Sequence, residues 1–309
     1  MPEGSLSISK ALSNVSLKFM NSEYIYPKFM KDVFVTQDSG EYWIYNKDFR
    51  LEQDFRGNKA PANQVSWSAS TSTYHLDKRA LKDNISAEDR ANSDLPGSLD
   101  VDTTEFLIDK LQMRMEKTVS DLLFTTTTFG NNATLTTATS WNYNTTTSAP
   151  IQNGLSATGF ILGVSGKRPN TVITNWAVLA ALKENANVYN RLAYTKDQIL
   201  TEQILASMFD VSQFLVGSAM YETNQEGLAA TSTAIWPSDA LFAYFEGVPG
   251  IKKLTTANLM RVREHGVPYN VYKYWDDKIR ADWVEVEYKA SPKVICTLTA
   301  YLFKTVALI

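Results

Sequence analysis

Apolar residues recur at spacings of three and four along Ile108, Leu111, Met115, Val119 and Leu122, which predicts an amphipathic helix with one firmly apolar face. Asp102 followed by Glu105 makes a capping-box-like start. The helix is therefore expected over residues 103–124, roughly 33 Å long and able to act as the spine of a domain. Beside the apolar face run an acidic stripe, Glu105, Asp109, Gln112 and Glu116, and a basic one, Lys110, Arg114 and Lys117. Two accounts of these stripes stay open: a solvated helix face, or ion pairing between subunits.

A second pattern centres on residues 171–173, Thr-Val-Ile, whose β-branched side chains predict a strand. Pro169 ends what precedes it, and Thr174 or Asn175 can cap a helix whose first turns hold Trp176, Val178, Leu179 and Leu182. Beyond it the pattern gives a helix over 199–209, a strand-like run over 211–219 and buried strands at 234–236 and 240–245. A β-rich tail follows at 269–275, 282–288 and 293–303.

Upstream, residues 33–35 read as a strand, Asp38-Ser39-Gly40 as a turn, and 41–45 and 64–74 as the two legs of an extended loop. A two-stranded hairpin is marginal in water, so this one needs a partner surface or the chain's own core to lie on. Residues 1–30 are too weakly patterned to build a core and read as an arm lying on something else. Residues 81–94 read as polar with scattered apolar positions. Between Leu122 and Gly166 there is no charged residue, and threonine and asparagine dominate, which reads as β-prone but too polar for a membrane.

Composition narrows the class. With 309 residues, 44% hydrophobic and 20% charged, the chain is a folded protein with a sizeable core. Its 15 Tyr, 14 Phe and 7 Trp require cores or interfaces to occupy. A net charge of −3 argues against a uniformly cationic platform for nucleic acid and leaves only local basic patches. Cys296 is the single cysteine, so no intrachain disulfide or cysteine-cluster metal site can form, and its apolar neighbours mark it as a small buried hydrophobe. The opening residues lack secretory features and no run approaches about 20 apolar residues, so the chain is expected to be soluble in a reducing cytoplasm.

Chemistry is sparse. The run Gly163-Val164-Ser165-Gly166-Lys167 lacks the leading glycine of a phosphate loop and has Arg168 where a magnesium-binding hydroxyl belongs. Neither a G-x-S-x-G elbow nor an H-E-x-x-H helix occurs. Asp276, Asp277 and Asp282 read as an exposed turn, and no local motif gives His75 or His265 a partner. Lys167-Arg168 and Lys252-Lys253 with Arg261 and Arg263 read as solvated surface, with contact to nucleic acid or to a neighbour's acidic edge as the alternative. No catalytic, cofactor-binding or metal-binding residue is assigned, and the chain is not expected to be an enzyme.

Taken in order, the arm, the extended loop, the spine helix, the strand Arg168-Pro169-Asn170-Thr171-Val172-Ile173-Thr174 entering its helix, Phe214-Leu215-Val216-Gly217, Ala234-Ile235-Trp236-Pro237 and the closing Asp282-Trp283-Val284-Glu285-Val286 resemble the major capsid protein of tailed bacteriophages with the HK97-type fold. The resemblance implies an α+β fold with an N-terminal arm (1–37) and an extended loop (38–75). A peripheral domain (76–159, completed by 268–309) would surround the spine helix 103–124, and 160–267 would form an axial domain. It implies a head protein whose hexamers and pentamers close an icosahedral shell around double-stranded DNA, assembled in the host cytoplasm and resident in the virion, with no cofactor and no membrane. Partners implied are copies of the chain, weakly held DNA, and scaffolding, portal and decoration proteins. Tyr42, Trp43, Tyr45 and Trp67 are the expected anchors in the loop, because aromatics are enriched among interface hot spots. Glu105, Asp109, Lys110 and Arg114 are the expected inter-subunit charges. Some relatives cross-link a loop lysine to an asparagine; here only Lys47 and Lys59 lie between Asp38 and Tyr74, and no cross-link is expected. The rival of the same fold is an encapsulin, a compartment enclosing cargo enzymes and distinguished by its contents. A decoration or tail-tube protein suits the long helix less well, and a monomeric α/β enzyme would need a cluster of ionisable residues that the sequence does not display.

Overall fold

The computed structural model describes residues 24–45, 51–52, 54–65, 69–93, 98–142, 147–192, 200–224, 229, 231–250, 253–262 and 268–307. Most of the expected arm, together with Lys47, Trp67 and His265, lies outside them, and of Tyr45 only the backbone is described. The helices are α1 (Tyr26–Phe29), α2 (Ala87–Asn92), α3 (Leu99–Leu123), α4 (Pro150–Ser165), α5 (Trp176–Glu184), α6 (Ala186–Leu192) and α7 (Glu202–Met208). The strands are β1 (Asp32–Val35), β2 (Ser39–Tyr45), β3 (Ala69–His75), β4 (Lys78–Ser86), β5 (Asn132–Thr134), β6 (Thr171–Asn175), β7 (Gln213–Gly217), β8 (Met220–Glu222), β9 (Ser232–Ala234), β10 (Ala240–Ala243), β11 (Ala257–Val262), β12 (Asn270–Asp276), β13 (Ala281–Val294) and β14 (Ala300–Lys304).

Two five-stranded sheets carry the fold. In the first, β13 pairs antiparallel with β4, β12 and β11, and β1 lies parallel to β11 at an edge. Its inner face, Val271, Val284 and Val286, packs in one cluster with Ile108, Leu111 and Met115 of α3. The second sheet runs β5-β14-β10-β6-β7. Because side chains alternate across a strand, Val172, Phe214, Phe242 and Phe303 meet α4, α5 and α7, while Ile173, Leu241 and Leu302 join the cluster around α3. All five residues of β6 are buried, as a strand covered on both faces requires.

The cap of α5 is as read from the sequence: Asn175 Oδ1 accepts from Val178 N–H at 3.0 Å, and Thr174 instead donates to Asp239 O at 3.1 Å. The long helix starts at Leu99, not at residue 103, so Asp102 is already helical and its N–H bonds to Ser98 O at 2.9 Å. Asp100 and Asp102 occupy its first turn, where the helix dipole favours anions. The charge-free stretch holds a helix rather than strands alone. Pro150 opens α4, Gly166 closes it with φ 63°, and the buried stripe Ile151, Gly154, Ala157, Thr158 and Ile161 is made of small or polar residues as much as of large ones. The polar stretch 81–94 holds most of β4 and the helix α2, capped by Ser86 Oγ on Asp89 N–H at 3.0 Å.

Strand pairing cuts across the division of the chain expected from the sequence. β11, expected with the unit 160–267, pairs with β13, and β14, expected with 268–309, pairs with β10 of the unit 160–267 as well as with β5. The run 293–303 is therefore two strands, not one. Between them the chain passes from one sheet to the other through a short 3-10 turn, Thr297–Thr299, where the buried hydroxyls of Thr256 and Thr299 lie 3.0 Å apart. The expected strand over 234–236 is displaced: β9 ends at Ala234, and Ile235 and Trp236 are buried beyond it.

Candidate assembly surfaces

The extended loop forms the antiparallel ladder β2–β3, with Ser39 opposite His75 and Tyr45 opposite Ala69. One side of its root is held by the body of the protein. Tyr42 donates to Val294 O at 3.1 Å, and Tyr74 is buried in a cluster with Leu76, Met260, Val33 and Val35. Gly40 allows that approach, since a Cβ there would stand 2.8 Å from the Tyr74 hydroxyl. Lys289 pairs with Asp38 at 3.0 Å beside the turn. An apolar cavity of about 400 Å³ lies under the root, between Val33, Val35, Tyr42, Tyr74, Met260 and Ile295.

The hairpin also turns apolar groups to solvent, Trp43 beside the cavity it helps to line and the others in the connection beyond. Trp43 is 52% exposed, Val65 is 64% exposed, Phe55 is 82% exposed, and Leu51 is fully exposed. Leu51 and Phe55 belong to the charged connection between the strands, where no periodic pattern marks them, and sequence reasoning missed them. Their isolation among charged residues was the available signal.

The charged stripes of α3 part company. Lys110 sits with its ammonium 5.3 Å from the ring of Phe106, itself 53% exposed, and Arg114 is exposed on the same helix. Glu105 is half-buried, and Asp109 accepts from the Tyr24 hydroxyl of its own chain at 3.1 Å. Gln112 and Glu116, expected in the acidic stripe, are buried, and Lys117 pairs with Asp121 within the helix. Glu116 takes the Ile25 and Tyr26 N–H groups at 3.0 and 3.1 Å and the Trp236 indole N–H at 2.7 Å. Burial raises its pKa, and these three donors offset part of that rise.

Other ionisable groups are tied up structurally. Arg90 reaches Asp100 at 2.8 Å and Asp282 at 2.9 Å, and Lys273 reaches Asp100 at 2.7 Å, joining α2, α3, β12 and β13. Burial works to raise the Asp100 pKa, but the hydrogen bonds from Arg90 and Lys273 outweigh it and hold the carboxyl below its ordinary range. Asp282 is thus part of this network and not of the exposed turn with Asp276 and Asp277. Arg261, expected at the surface, is buried 3.5 Å from Asp32 and close to Tyr269, and burial pushes the neighbouring Tyr288 hydroxyl up to about 12. His75 stands exposed 3.5 Å from Asp77, Cys296 is buried, and the Gly163 to Lys167 run closes α4. Among the described residues no cluster of three or more His, Cys, Asp or Glu is placed to hold a metal ion, and no helix is long and apolar enough to cross a membrane.

The surfaces offered are thus a rooted hairpin with apolar groups in solvent and a basic, aromatic face of α3. Comparison with known proteins gives the same direction. A family model described as phage major capsid protein E matches residues 119–307. A major capsid protein of Burkholderia phage BcepMu is 26% identical over 243 residues, 77% of this chain and 76% of that protein. The crystal structure of a phage-related protein from Bordetella bronchiseptica RB50 superposes with a TM-score of 0.80 at 18% identity, covering 99% of this chain and 100% of that one. The SrpI encapsulin of Synechococcus elongatus PCC 7942 superposes with a TM-score of 0.57 at 10% identity over 99% and 92% of the two chains, a likeness of fold alone.

Proposed function

The chain belongs to the phage major capsid protein E family, a shell protein of the virion with the HK97-type fold, and from that premise we propose that its copies form hexamers and pentamers that close an icosahedral shell around double-stranded DNA. The supporting observation is the hairpin. Its root is held by the subunit while Trp43, Leu51, Phe55 and Val65 stand in solvent, so the missing counterpart of that surface is a neighbouring copy. Tyr42, Trp43, Tyr45 and Trp67 anchor the hairpin, Tyr42 on its own subunit and the others across the contact. Lys110 and Arg114, with Glu105, make lateral charge contacts, and Asp109 joins them while also accepting from Tyr24.

In this reading the second sheet with α4 to α7 is the axial domain, and the first sheet with α3 is the peripheral domain. The chain before Tyr24 is an arm that clasps a neighbour. Each contact is weak alone, and closure makes the later ones effectively intramolecular, so the shell forms cooperatively. DNA is held weakly and without sequence preference, consistent with a net charge of −3. Assembly takes place in the host cytoplasm, with scaffolding, portal and decoration proteins as partners, and the role is structural rather than catalytic.

Negative-stain electron microscopy of the purified protein, with and without scaffold, tests the proposal. Closed shells or capsomer rings are expected, and monomers under both conditions would refute it. The fold also suits a cargo-enclosing compartment; nucleic acid inside the particles separates the capsid reading from that one, where an enzyme would co-purify.

A further inference from the structure

Glu116 is fully buried in the middle of α3, although no packing requirement calls for a carboxylate there. A leucine or methionine would fill such a site without the cost of burying a charge. What the carboxylate does is accept three hydrogen bonds. Oε1 takes the Ile25 N–H and the Trp236 indole, and Oε2 takes the Tyr26 N–H. The two backbone groups are the free donors at the start of α1, a short helix with no side-chain cap of its own and with Pro27 in its first turn. A side chain from a different helix supplies the missing cap.

About two turns earlier on α3 the Tyr24 hydroxyl bonds to Asp109, and downstream Phe29 packs against Trp236 and Phe245 with ring centroids 6.3 and 4.8 Å apart. The segment is therefore laid along α3, and Glu116 grips its backbone rather than a side chain. We propose that Glu116 is the positioning residue of the N-terminal segment: by capping α1 from α3 it fixes where, and in which direction, the chain before Tyr24 leaves the subunit. This rests on the reading of that chain as an arm that clasps a neighbouring copy. The chemistry is specific to a carboxylate. Its two oxygens offer about four acceptor sites and face three donors, whereas an amide in the same place must turn its NH₂ against at least one of them.

The test compares Glu116→Gln, Glu116→Asp, Trp236→Phe and a chain lacking residues 1–23. Unassembled subunits are followed by hydrogen exchange of the Ile25 and Tyr26 amides and by trypsin cleavage at Lys28, which is exposed on α1. Shell yield is then counted by electron microscopy. Glu116→Gln is expected to speed exchange and cleavage by about tenfold, the equivalent of one lost hydrogen bond, and to lower shell yield towards that of the truncated chain. Glu116→Asp, which keeps the charge, recovers part of the protection. Trp236→Phe removes a donor to the same carboxylate but leaves both backbone bonds, and its amides stay protected. Unchanged exchange in Glu116→Gln overturns the inference, as does equal loosening in Trp236→Phe, which would reduce Glu116 to general packing. Normal shells from the truncated chain refute the arm reading, and in that case loosened exchange in Glu116→Gln still supports the anchoring role.

Discussion

The β2–β3 hairpin, with strands of 7 residues, and the sheet β5-β14-β10-β6-β7, with strands of 3 to 5, are held in opposite ways. The sheet is covered on both faces by its own chain, with Val172 and Phe242 on one side and Ile173 and Leu241 on the other. The hairpin has one rooted side, fastened by Tyr42 and Tyr74, and beyond it apolar groups that stand exposed among the described residues. The difference separates two kinds of stability. Burial within the chain sets whether the subunit folds, and in the proposed reading the exposed surface sets what the folded subunit does with another copy.

Substitutions should respect that separation, and the largest effect is expected inside the sheet region. A Cβ at Gly217 would lie 2.1 Å from Cδ1 of the fully buried Trp236, so Gly217→Ala should destabilise the subunit by about 3 kcal/mol in urea unfolding. A loss under about 1 kcal/mol would mean the indole has room to move. Asp239→Ala should cost about 2 kcal/mol, because it leaves the Lys304 ammonium to the Phe124 carbonyl and removes the acceptor of the Thr305 N–H, bonded at 2.7 Å. At the hairpin root, Tyr42→Phe removes the donor to Val294 O and should cost about 1 kcal/mol, seen as faster hydrogen exchange confined to β2 and β3.

A smaller effect concerns pH. Burial raises the Glu116 pKa in the folded state above its value in the unfolded chain, with the exposed Lys28 pulling weakly the other way. The folded state then holds the proton more tightly, so the stability of the native protein relative to Glu116→Gln should be greatest below the unfolded pKa. It should fall as pH rises through the raised folded value and level off above it. A difference that grows with pH across that window would reverse the assignment. The smallest effect on the subunit is expected where the effect on assembly is greatest. Trp43→Ala combined with Trp67→Ala should leave unfolding within about 0.5 kcal/mol of the native protein and yet prevent shells from closing. If that pair melts the subunit as Gly217→Ala does, the hairpin belongs to the core and the contrast between the two regions fails.

The sequence made some parts of this arrangement readable for local reasons. Asn175 caps α5 through a residue three positions on, and β2 and β3 pair with each other across the extended loop read from the sequence. What it hid depends on distant partners. Glu116 looked like one more exposed acid on α3 because its donors come from residues about 90 positions earlier and from Trp236. The helix α4 was hidden by its small buried side chains, although Pro150 and Gly166 marked both its ends. β4 is a strand because β13 is long enough to pair with it, and most of its own residues are exposed. Of the hairpin surface, Trp43 was legible as an aromatic in a strand, whereas Leu51 and Phe55 had no pattern to announce them.

The exchange of β11 and β14 between the sheets has a consequence for timing. β14 lies between β5 and β10, so the second sheet cannot close until residue 304 has emerged from the ribosome, however early β5 and β6 were made. The first sheet waits similarly for β13, which pairs with β4, made early, and with β11 and β12, made late. In the proposed reading, a nascent chain carries the hairpin and α3 before it has the Val294 carbonyl that holds the hairpin root or the strand β13 on which α3 packs, so premature joining on the polysome is disfavoured by the order of the strands themselves.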